Sequence, residues 1–333
     1  MLDNPRALMI AWGVSLVLVL TGFIALEISY TPAKEAEPEF EETEGVIETD
    51  GEAPAAMTDM SLEQPLYFPE LVEKTSFGEL PRVSPSGRKP WEAYASPAID
   101  VPATGARIAI VVRNMGLRRR NTERAFDNLP PAVTFAFSPY GSDLDEYAQR
   151  ARREGHEILM QVPMESINLQ LENPGDLALL ADRTPRENLI QLKEVLGRMH
   201  GYGGIIPHMG SRFTATVEDI QGPILDEIAQ RGLLFVDNRT NVNSLAVQFA
   251  RNRGIPTAFI NRHIDRELVR EQLNTELLEL EARARQLGAA VGEIQALPIG
   301  ITAVSDWLKT LDTAEFTLVP VSQIVERQPT PRR

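Results

Sequence analysis

From Arg107 onward, short apolar runs of strand length alternate with segments of helical character. The apolar runs predict strands over residues 107–112, 132–137, 157–162, 203–206, 233–237, 255–260, 290–297 and 316–321. Helices are predicted over residues 184–200, 216–231, 241–253, 265–287 and 301–312. Strands and helices that alternate in this way are typical of a parallel sheet covered by helices. The predicted fold class is therefore α/β, a closed or distorted (β/α) barrel of seven or eight mostly parallel strands.

A different pattern precedes this part of the chain. The stretch from Ala7 to Leu26 is uncharged, mostly apolar and 20 residues long, which is enough to cross a bilayer as a helix. Arg6 lies before it and an acidic segment follows, so the amino terminus should stay in the cytoplasm. The stretch has no clean cleavage site at its end. We expect an uncleaved anchor within residues 1–30 in the inner membrane, with a cleaved signal as the alternative.

Residues 31–105 have the composition of a linker. They hold ten prolines, 16 acidic and 5 basic side chains, and few large apolar residues. Such a segment buries too little apolar surface to offset the entropy of ordering, so it should be mostly disordered and extended. The alternative is that part of residues 64–94, which is richer in apolar side chains, docks on the following domain. We expect that domain over residues 106–326, with 327–333 as a tail.

Composition narrows the classes of function. The chain has no cysteine, which excludes disulfides and thiolate metal sites. Of the net charge of −14, residues 31–105 contribute −11 and the first 30 residues −1, which leaves −2 for the remainder. The domain therefore has no basic footprint of the kind that binds nucleic acid. With an anchor ahead of it, the domain is predicted to face the periplasm.

Polar residues follow the predicted strands at their carboxyl ends, which meet at one rim of such a fold. The candidate site residues at this rim are Arg113, Asn114, Ser138, Tyr140, Gln161, Met164, Glu165, His208, Ser211, Arg212, Asp237, Arg239, Asn261, His263, Asp265, Leu297 and Pro298. The rim is polar and mixed in charge. Arg212 and Arg239 could each pair with Asp237 or Asp265, or bind a carboxylate or the hydroxyl groups of a sugar.

Four segments, in their order along the chain, resemble the divergent polysaccharide deacetylase family. They are residues 108–116, 155–165, 207–214 and 237–240, and the resemblance extends from about Arg107 to Val325. It implies a distorted (β/α) barrel and the zinc-assisted removal of acetyl groups from sugars. It also implies an aspartate and two histidines as zinc ligands, a further aspartate as base and a late histidine as acid. The metal would polarise the acetyl carbonyl and lower the pKa of a bound water.

This chain departs from the family pattern at most of the chemical positions. Arg113 and Asn114 stand where the family has a pair of aspartates, Gln161 replaces a histidine, and Leu297 replaces the late histidine. Only His208 remains of the expected ligands. Amide oxygens are poor ligands for zinc, and the positive charge of Arg113 repels a cation. We therefore expect no cofactor, with zinc only if the site is functional after all.

Most candidate residues have a structural alternative. His208 is predicted to bond structural neighbours or a sugar rather than a metal. Asp237 and Arg239 either bind a ligand or brace the rim. Asp265 should cap the helix that follows it, and His263 should be a solvated loop histidine, with a role as replacement ligand as the alternative.

The remaining candidates, Tyr140, Glu165, Ser211 and Arg212, are predicted sugar contacts. The resulting hypothesis is a membrane-anchored domain that binds a glycan or an envelope protein without hydrolysing it. One alternative is an active deacetylase that uses His208, Asp237, Asp265 and His263. A second is a platform for protein interactions.

Overall fold

The structure is a computed structural model that describes residues 67–103, 105–325 and 327–329. The predicted anchor, Ala7–Leu26, and the first part of the acidic segment lie outside these residues. Within the described ranges, no helix combines the length and the apolar character needed to span a membrane.

The strands and helices follow the predicted alternation. The strands are β1 Val72–Thr75, β2 Gly78–Pro81, β3 Ala106–Met115, β4 Thr134–Phe137, β5 Ile158–Met164, β6 Gly204–Met209, β7 Leu234–Asp237, β8 Thr257–Phe259, β9 Arg262–His263, β10 Ala289–Gln295 and β11 Phe316–Leu318. The helices are α1 Pro90–Ala93, α2 Arg119–Asn128, α3 Leu144–Arg153, α4 Pro185–Leu196, α5 Glu218–Gln230, α6 Ala246–Asn252, α7 Arg270–Leu287 and α8 Pro298–Leu308. All eight predicted strands and all five predicted helices are found, with shifted ends. The two-residue strand β9 was not predicted because it is too short to form an apolar run.

The main sheet is parallel and curled into a half-barrel. Its strand order is β8-β7-β6-β5-β4-β3-β10-β9, and β11 pairs with β3. The edge strands β8 and β9 are consecutive in sequence, with only Ile260 and Asn261 between them. Ile260 N donates to Asp237 O (2.9 Å) and Asn261 N donates to Val291 O (2.8 Å), so one segment bonds to β7 and then to β10. The predicted parallel α/β fold is confirmed in this form, and the described residues contribute nine strands to the sheet rather than seven or eight.

Two apolar layers cover the two faces of this sheet. The layer beneath the helices contains large side chains, such as Phe135, Phe137 and Ile294. The other layer contains Val111, Ile206 and further small strand residues, and no residue of α2 to α8. Successive side chains of a strand point to opposite faces, so this second layer is the interior of the curl. The segment around Val321 and Ile324 belongs to it as well.

The described part of the acidic segment packs against the rest of the domain. Strands β1 and β2 form an antiparallel hairpin, and Leu80 of β2 belongs to the main apolar core. The nearly buried guanidinium of Arg231, at the end of α5, donates to Pro81 O (2.8 Å) and pairs with Glu73 (3.3 Å). These contacts correspond to the docking alternative for residues 64–94. The physical reason is that large apolar residues are concentrated there and offset the ordering entropy.

Substitution of Gly197 tests this docking. A Cβ at Gly197, after the end of α4, would lie 1.8 Å from Phe77 O in the hairpin turn, although the φ of −80° accepts alanine. We expect Gly197→Ala to cost about 1 to 3 kcal/mol through overpacking. Urea denaturation measures the cost, and hydrogen exchange of residues 72–81 shows whether the hairpin separates. Gly300→Ala is the control, because its Cβ would meet no atom closer than 3.6 Å. Equal protection and stability in both variants would contradict the docking.

Candidate functional site

The interior face of the sheet changes from apolar to polar towards the carboxyl ends of the strands. The interior residues Val111, Leu159, Ile206 and Val291 are each followed, two positions later, by a polar residue. Because side chains alternate along a strand, the polar residues share the interior face, one layer above the apolar one. They are Arg113, Gln161, His208 and Glu293.

An ion pair lies in this polar layer. Arg113 Nε is 2.5 Å from Glu293 Oε1, and Arg113 Nη2 is 4.0 Å from Asp265 Oδ1. The side chains of both acids are 2% exposed. Burial by itself would raise the pKa of Glu293, but the charge of Arg113 and the interaction with the His263 side chain hold that pKa below its ordinary value. Glu293 is therefore ionised and balances the charge of Arg113.

Amide groups connect the ion pair to the remaining histidine of the family pattern. Asn114 N donates to Gln161 Oε1 (2.6 Å), and Gln161 Nε2 is 3.4 Å from His208 Nδ1. Burial, together with the nearby charge of Arg113, lowers the pKa of His208 to about 4. His208 is therefore neutral at pH 7 and available for hydrogen bonds.

This lowered pKa predicts a pH dependence of stability. The unfolded chain takes up the His208 proton near pH 6.5, whereas the folded chain does so only near pH 4. Between these values the unfolded state binds more protons, so the stability from neutral His208 is present above pH 6.5 and lost as the pH falls towards 4. Replacement of His208 by Gln should flatten the dependence in this window. Urea unfolding of both proteins from pH 7.5 to 4.5 measures it, and parallel curves would contradict the assignment.

A pocket of about 260 Å³ lies above the ion pair. Its lining residues are Arg113, Glu172, Pro207, His208, Met209, Ser211, Asn238, Thr240, His263 and Glu293. His263 Nδ1 is 3.4 Å from Glu293 Oε1. The other polar atoms of this pair, His263 Nε2 and Glu293 Oε2, are buried without a hydrogen-bond partner. Such atoms are costly unless a ligand or water satisfies them.

Two features of this pocket differ from the sequence analysis. His263 is not a solvated loop histidine, because its side chain is only 12% exposed beside Glu293. Glu293 was not among the candidates, because it lies within a strand rather than after the carboxyl end of one. The available signal was the alternation Ala289, Val291, Glu293, which places the carboxylate on the interior face.

Asp237 lies on the opposite face of its strand from the interior residue Val236. Its Oδ1 accepts a hydrogen bond from Arg239 N (2.9 Å) and its Oδ2 accepts one from Ser244 Oγ (2.7 Å). Burial raises the pKa of Asp237, although these hydrogen bonds oppose the shift. The Arg239 guanidinium lies over the ring of Phe259, 5.5 Å from its centroid. Of the two predicted roles of Asp237, ligand binding and bracing of the rim, its contacts therefore correspond to bracing.

Asp265 does not cap a helix, in contrast to the prediction. Helix α7 begins five residues later, at Arg270, after Val269. Asp265 Oδ2 instead accepts a hydrogen bond from Gln295 N (2.6 Å). Burial raises the pKa of Asp265, against the effect of Arg113. The carboxylate is thus part of the surroundings of the ion pair.

Several residues that were predicted to contact a sugar instead stabilise the loop between β5 and α4. Arg212 pairs with Glu165 and with Asp182, 2.9 Å from its Oδ1, rather than with Asp237 or Asp265. Tyr140 Oη donates to the carbonyl of Pro174 and accepts from the N–H of Leu177, at 2.9 Å each.

Of these predicted contacts, only Ser211 lines the pocket. Its Oγ accepts from Ile167 N (3.0 Å). Leu297 precedes α8 and offers no polar side-chain atom.

The site does not fit a zinc ion. Across the described residues, no three His, Asp, Glu or Cys side chains form a group that could hold a metal. Arg113 brings a positive charge into the polar layer, and Asn114 and Gln161 offer amide groups at two of the positions to which the resemblance assigns ligands. A catalytic zinc site usually has about three protein ligands.

Comparison with known proteins gives consistent matches. A family model described as divergent polysaccharide deacetylase matches residues 110–325. The chain is 24% identical over 232 residues to the uncharacterized protein YibQ of Escherichia coli K12, which covers 68% of this chain and 70% of the relative. The solved structure of the uncharacterized protein ATU2773 from Agrobacterium tumefaciens C58 is 35% identical, with a TM-score of 0.71. The aligned region covers 74% of this chain and 100% of the chain of that solved structure.

Proposed function

The chain belongs to the divergent polysaccharide deacetylase family, and from that membership we propose that its domain binds an envelope glycan without hydrolysing it. The observation that carries this proposal is the ion pair between Arg113 and Glu293. It brings a positive charge into the layer where the family chemistry requires carboxylate and imidazole ligands.

The loss of hydrolysis follows from charge and ligand chemistry. The carboxylate of Glu293 in the polar layer is already paired with Arg113, so a zinc ion that bound it would have to displace the guanidinium from a buried ion pair. The alternative set for an active enzyme, His208, Asp237, Asp265 and His263, is poorly supported. Asp237 bonds to Ser244 on the outer face, and Asp265 bonds to the backbone of Gln295.

Glycan binding is supported by what remains at the rim. The pocket has few apolar residues and contains the neutral imidazole of His208, the hydroxyl groups of Ser211 and Thr240, and the free acceptor of Glu293. Sites that combine a pocket with a few fixed polar groups are typical of small-molecule binding. A pocket of about 260 Å³ suits a single sugar ring rather than a long segment of polymer.

Zinc content and acetate release test the proposal. The full chain is purified in detergent, incubated with zinc, dialysed and measured by inductively coupled plasma mass spectrometry. Acetate release from hexaacetylchitohexaose is followed enzymatically, and calorimetry measures the binding of triacetylchitotriose. We expect substoichiometric zinc, no acetate and measurable binding. One zinc per chain together with acetate release would support the active deacetylase instead, and absence of all glycan binding would favour a protein-interaction platform.

We also propose that Ala7–Leu26 anchors the chain in the inner membrane with the domain in the periplasm. The support is the length and apolar character of this stretch and the charge on its two sides. Carbonate extraction of membranes should leave the chain in the pellet, and protease should digest the domain in spheroplasts but not in intact cells. Release by carbonate would contradict the anchor.

A further inference from the structure

A second cavity, with a volume of about 610 Å³, lies beside the pocket and carries positive charge. We call it the arginine groove; its charged lining residues are Arg239, Arg266 and Arg283. No Asp or Glu is found among the described residues that line it. This charge stands out, because residues 106–333 carry a net charge of −2.

The three arginines make few contacts with the rest of the chain. Arg239 Nη2 donates to Val242 O (3.2 Å), and Arg283 Nη1 donates to Gln286 Oε1 (2.9 Å). In the described ranges no carboxylate lies within ion-pair distance, 4.0 Å, of any of the three guanidinium groups. By contrast, Arg253 and Arg262 each pair with two acids. Most of the donors of Arg239, Arg266 and Arg283 are therefore free for a ligand.

His263 connects the arginine groove to the pocket, because it lines both. On the pocket side, the 98% buried carboxylate of Glu293 has an Oε2 without a partner, and His263 Nε2 also lacks one. A carboxylate oxygen accepts hydrogen bonds, so a ligand that enters the pocket beside Glu293 matches it best if it offers O–H or N–H donors. The arginine groove, which is lined by positive charges, favours an anion.

We propose that the pocket and the arginine groove together bind an acidic saccharide. The hydroxyl groups of one sugar ring would donate to Glu293 and His263. A carboxylate or phosphate group on that ring, or on the next, would lie among the three arginines. Guanidinium groups suit this task because their planar fork matches both anions in a bidentate manner. The inference rests on the proposed glycan binding and adds that the glycan is negatively charged.

The test compares charged and neutral probes by calorimetry on the full chain in detergent. The acidic probes are trigalacturonic acid for a carboxylate and glucose 6-phosphate for a phosphate, and the neutral probe is triacetylchitotriose. We expect at least one acidic probe to bind roughly tenfold more tightly than the neutral one at low salt, as a charge-assisted hydrogen bond would give. This advantage should shrink as salt screens the exposed guanidinium groups. The tighter of the two acidic probes identifies the anionic group.

Arg266 provides the sharpest variant, because it is exposed and its loss should not disturb folding. We expect Arg266→Gln to weaken binding of the acidic probe about tenfold and to leave the neutral probe unchanged. Arg186→Gln, an exposed arginine in the first turn of α4, is the matched control and should change neither.

Equal affinity for the acidic and neutral probes, or equal effects of the two arginine variants, would overturn the inference and leave glycan binding intact. If no probe binds at all, glycan binding itself fails together with the inference.

Discussion

Replacement of Arg113 by methionine should lower the free energy of unfolding at pH 7 by about 3 to 5 kcal/mol, as expected when one partner of a buried ion pair is removed. The variant leaves the Glu293 carboxylate, which is 2% exposed, without its guanidinium partner at 2.5 Å. Asp265, which is also 2% exposed, loses a positive charge at 4.0 Å. Urea denaturation, followed by circular dichroism, measures the change.

The matched control is Arg262→Met. Arg262 also lies in a strand, but its pair with Glu279 has side chains that are 30% and 53% exposed. Surface pairs of this kind contribute about 0 to 1 kcal/mol. Equal costs for the two variants would show that the interior pair is no more important to the fold than a surface pair.

The loss in Arg113→Met should also depend on pH. In the natural chain the pKa of Glu293 is held below its ordinary value by Arg113, so its contribution is present at neutral pH and lost as the pH falls. In the variant, burial without Arg113 should raise that pKa, so Glu293 would destabilise the fold most at high pH. The difference between the two proteins should therefore shrink towards pH 4.

A double variant separates the ion pair from simple packing. Arg113→Met combined with Glu293→Leu removes both charges and keeps apolar volume, and replacement of a buried pair in this way is often neutral. We expect the double variant to be more stable than Arg113→Met alone. Additive losses would indicate that the two side chains act independently.

The second large effect is a gain of zinc binding in Asn114→Asp with Gln161→His. These substitutions restore two of the family's ligand types around His208. Gln161 is suited to the imidazole because its Nε2 is 3.4 Å from His208 Nδ1, and residue 114 is adjacent because its backbone N donates to Gln161 Oε1 (2.6 Å). With three ligands available, the Kd for zinc should fall from about 1 mM or weaker to about 1 μM, roughly a thousandfold. Calorimetry with a competing chelator measures it.

The control adds His208→Ala to the double variant, which should abolish the gain because one of the three ligands is then missing. A double variant that still fails to bind zinc would show that the charge of Arg113, rather than the missing ligands, excludes the ion. Tight zinc binding by the natural chain would contradict both explanations.

Much of the fold could be predicted from local pattern. The apolar runs after Arg107 identified every long strand of the main sheet, since a buried parallel strand must be apolar on both faces. The pattern of apolar runs did not predict an element that consists of only a few residues. Strand β9 is Arg262 and His263 only, and its pairing with β10 comes from the curl of the sheet.

The candidate site could be predicted only in part. His208, Arg113 and Gln161 were recognised because they stand at strand ends in a known order. Glu293 was not predicted because it lies within β10, where only the alternation of side chains places it on the interior face. Glu165 and Arg212 were expected to contact a sugar, but they pair with each other because the loop after β5 folds back on the segment after β6.

The sequence by itself determined the α/β class and the family, because each depends on residue types at fixed positions along the chain. Only the tertiary structure decided which polar side chains meet. Arg113 and Glu293 are far apart in sequence and become neighbours because β3 and β10 are adjacent in the curled sheet. Asp237 follows the interior residue Val236 in sequence, yet its side chain lies on the opposite face of the sheet. Contacts between distant strands depend on the order of the strands in the sheet, which no local pattern contains.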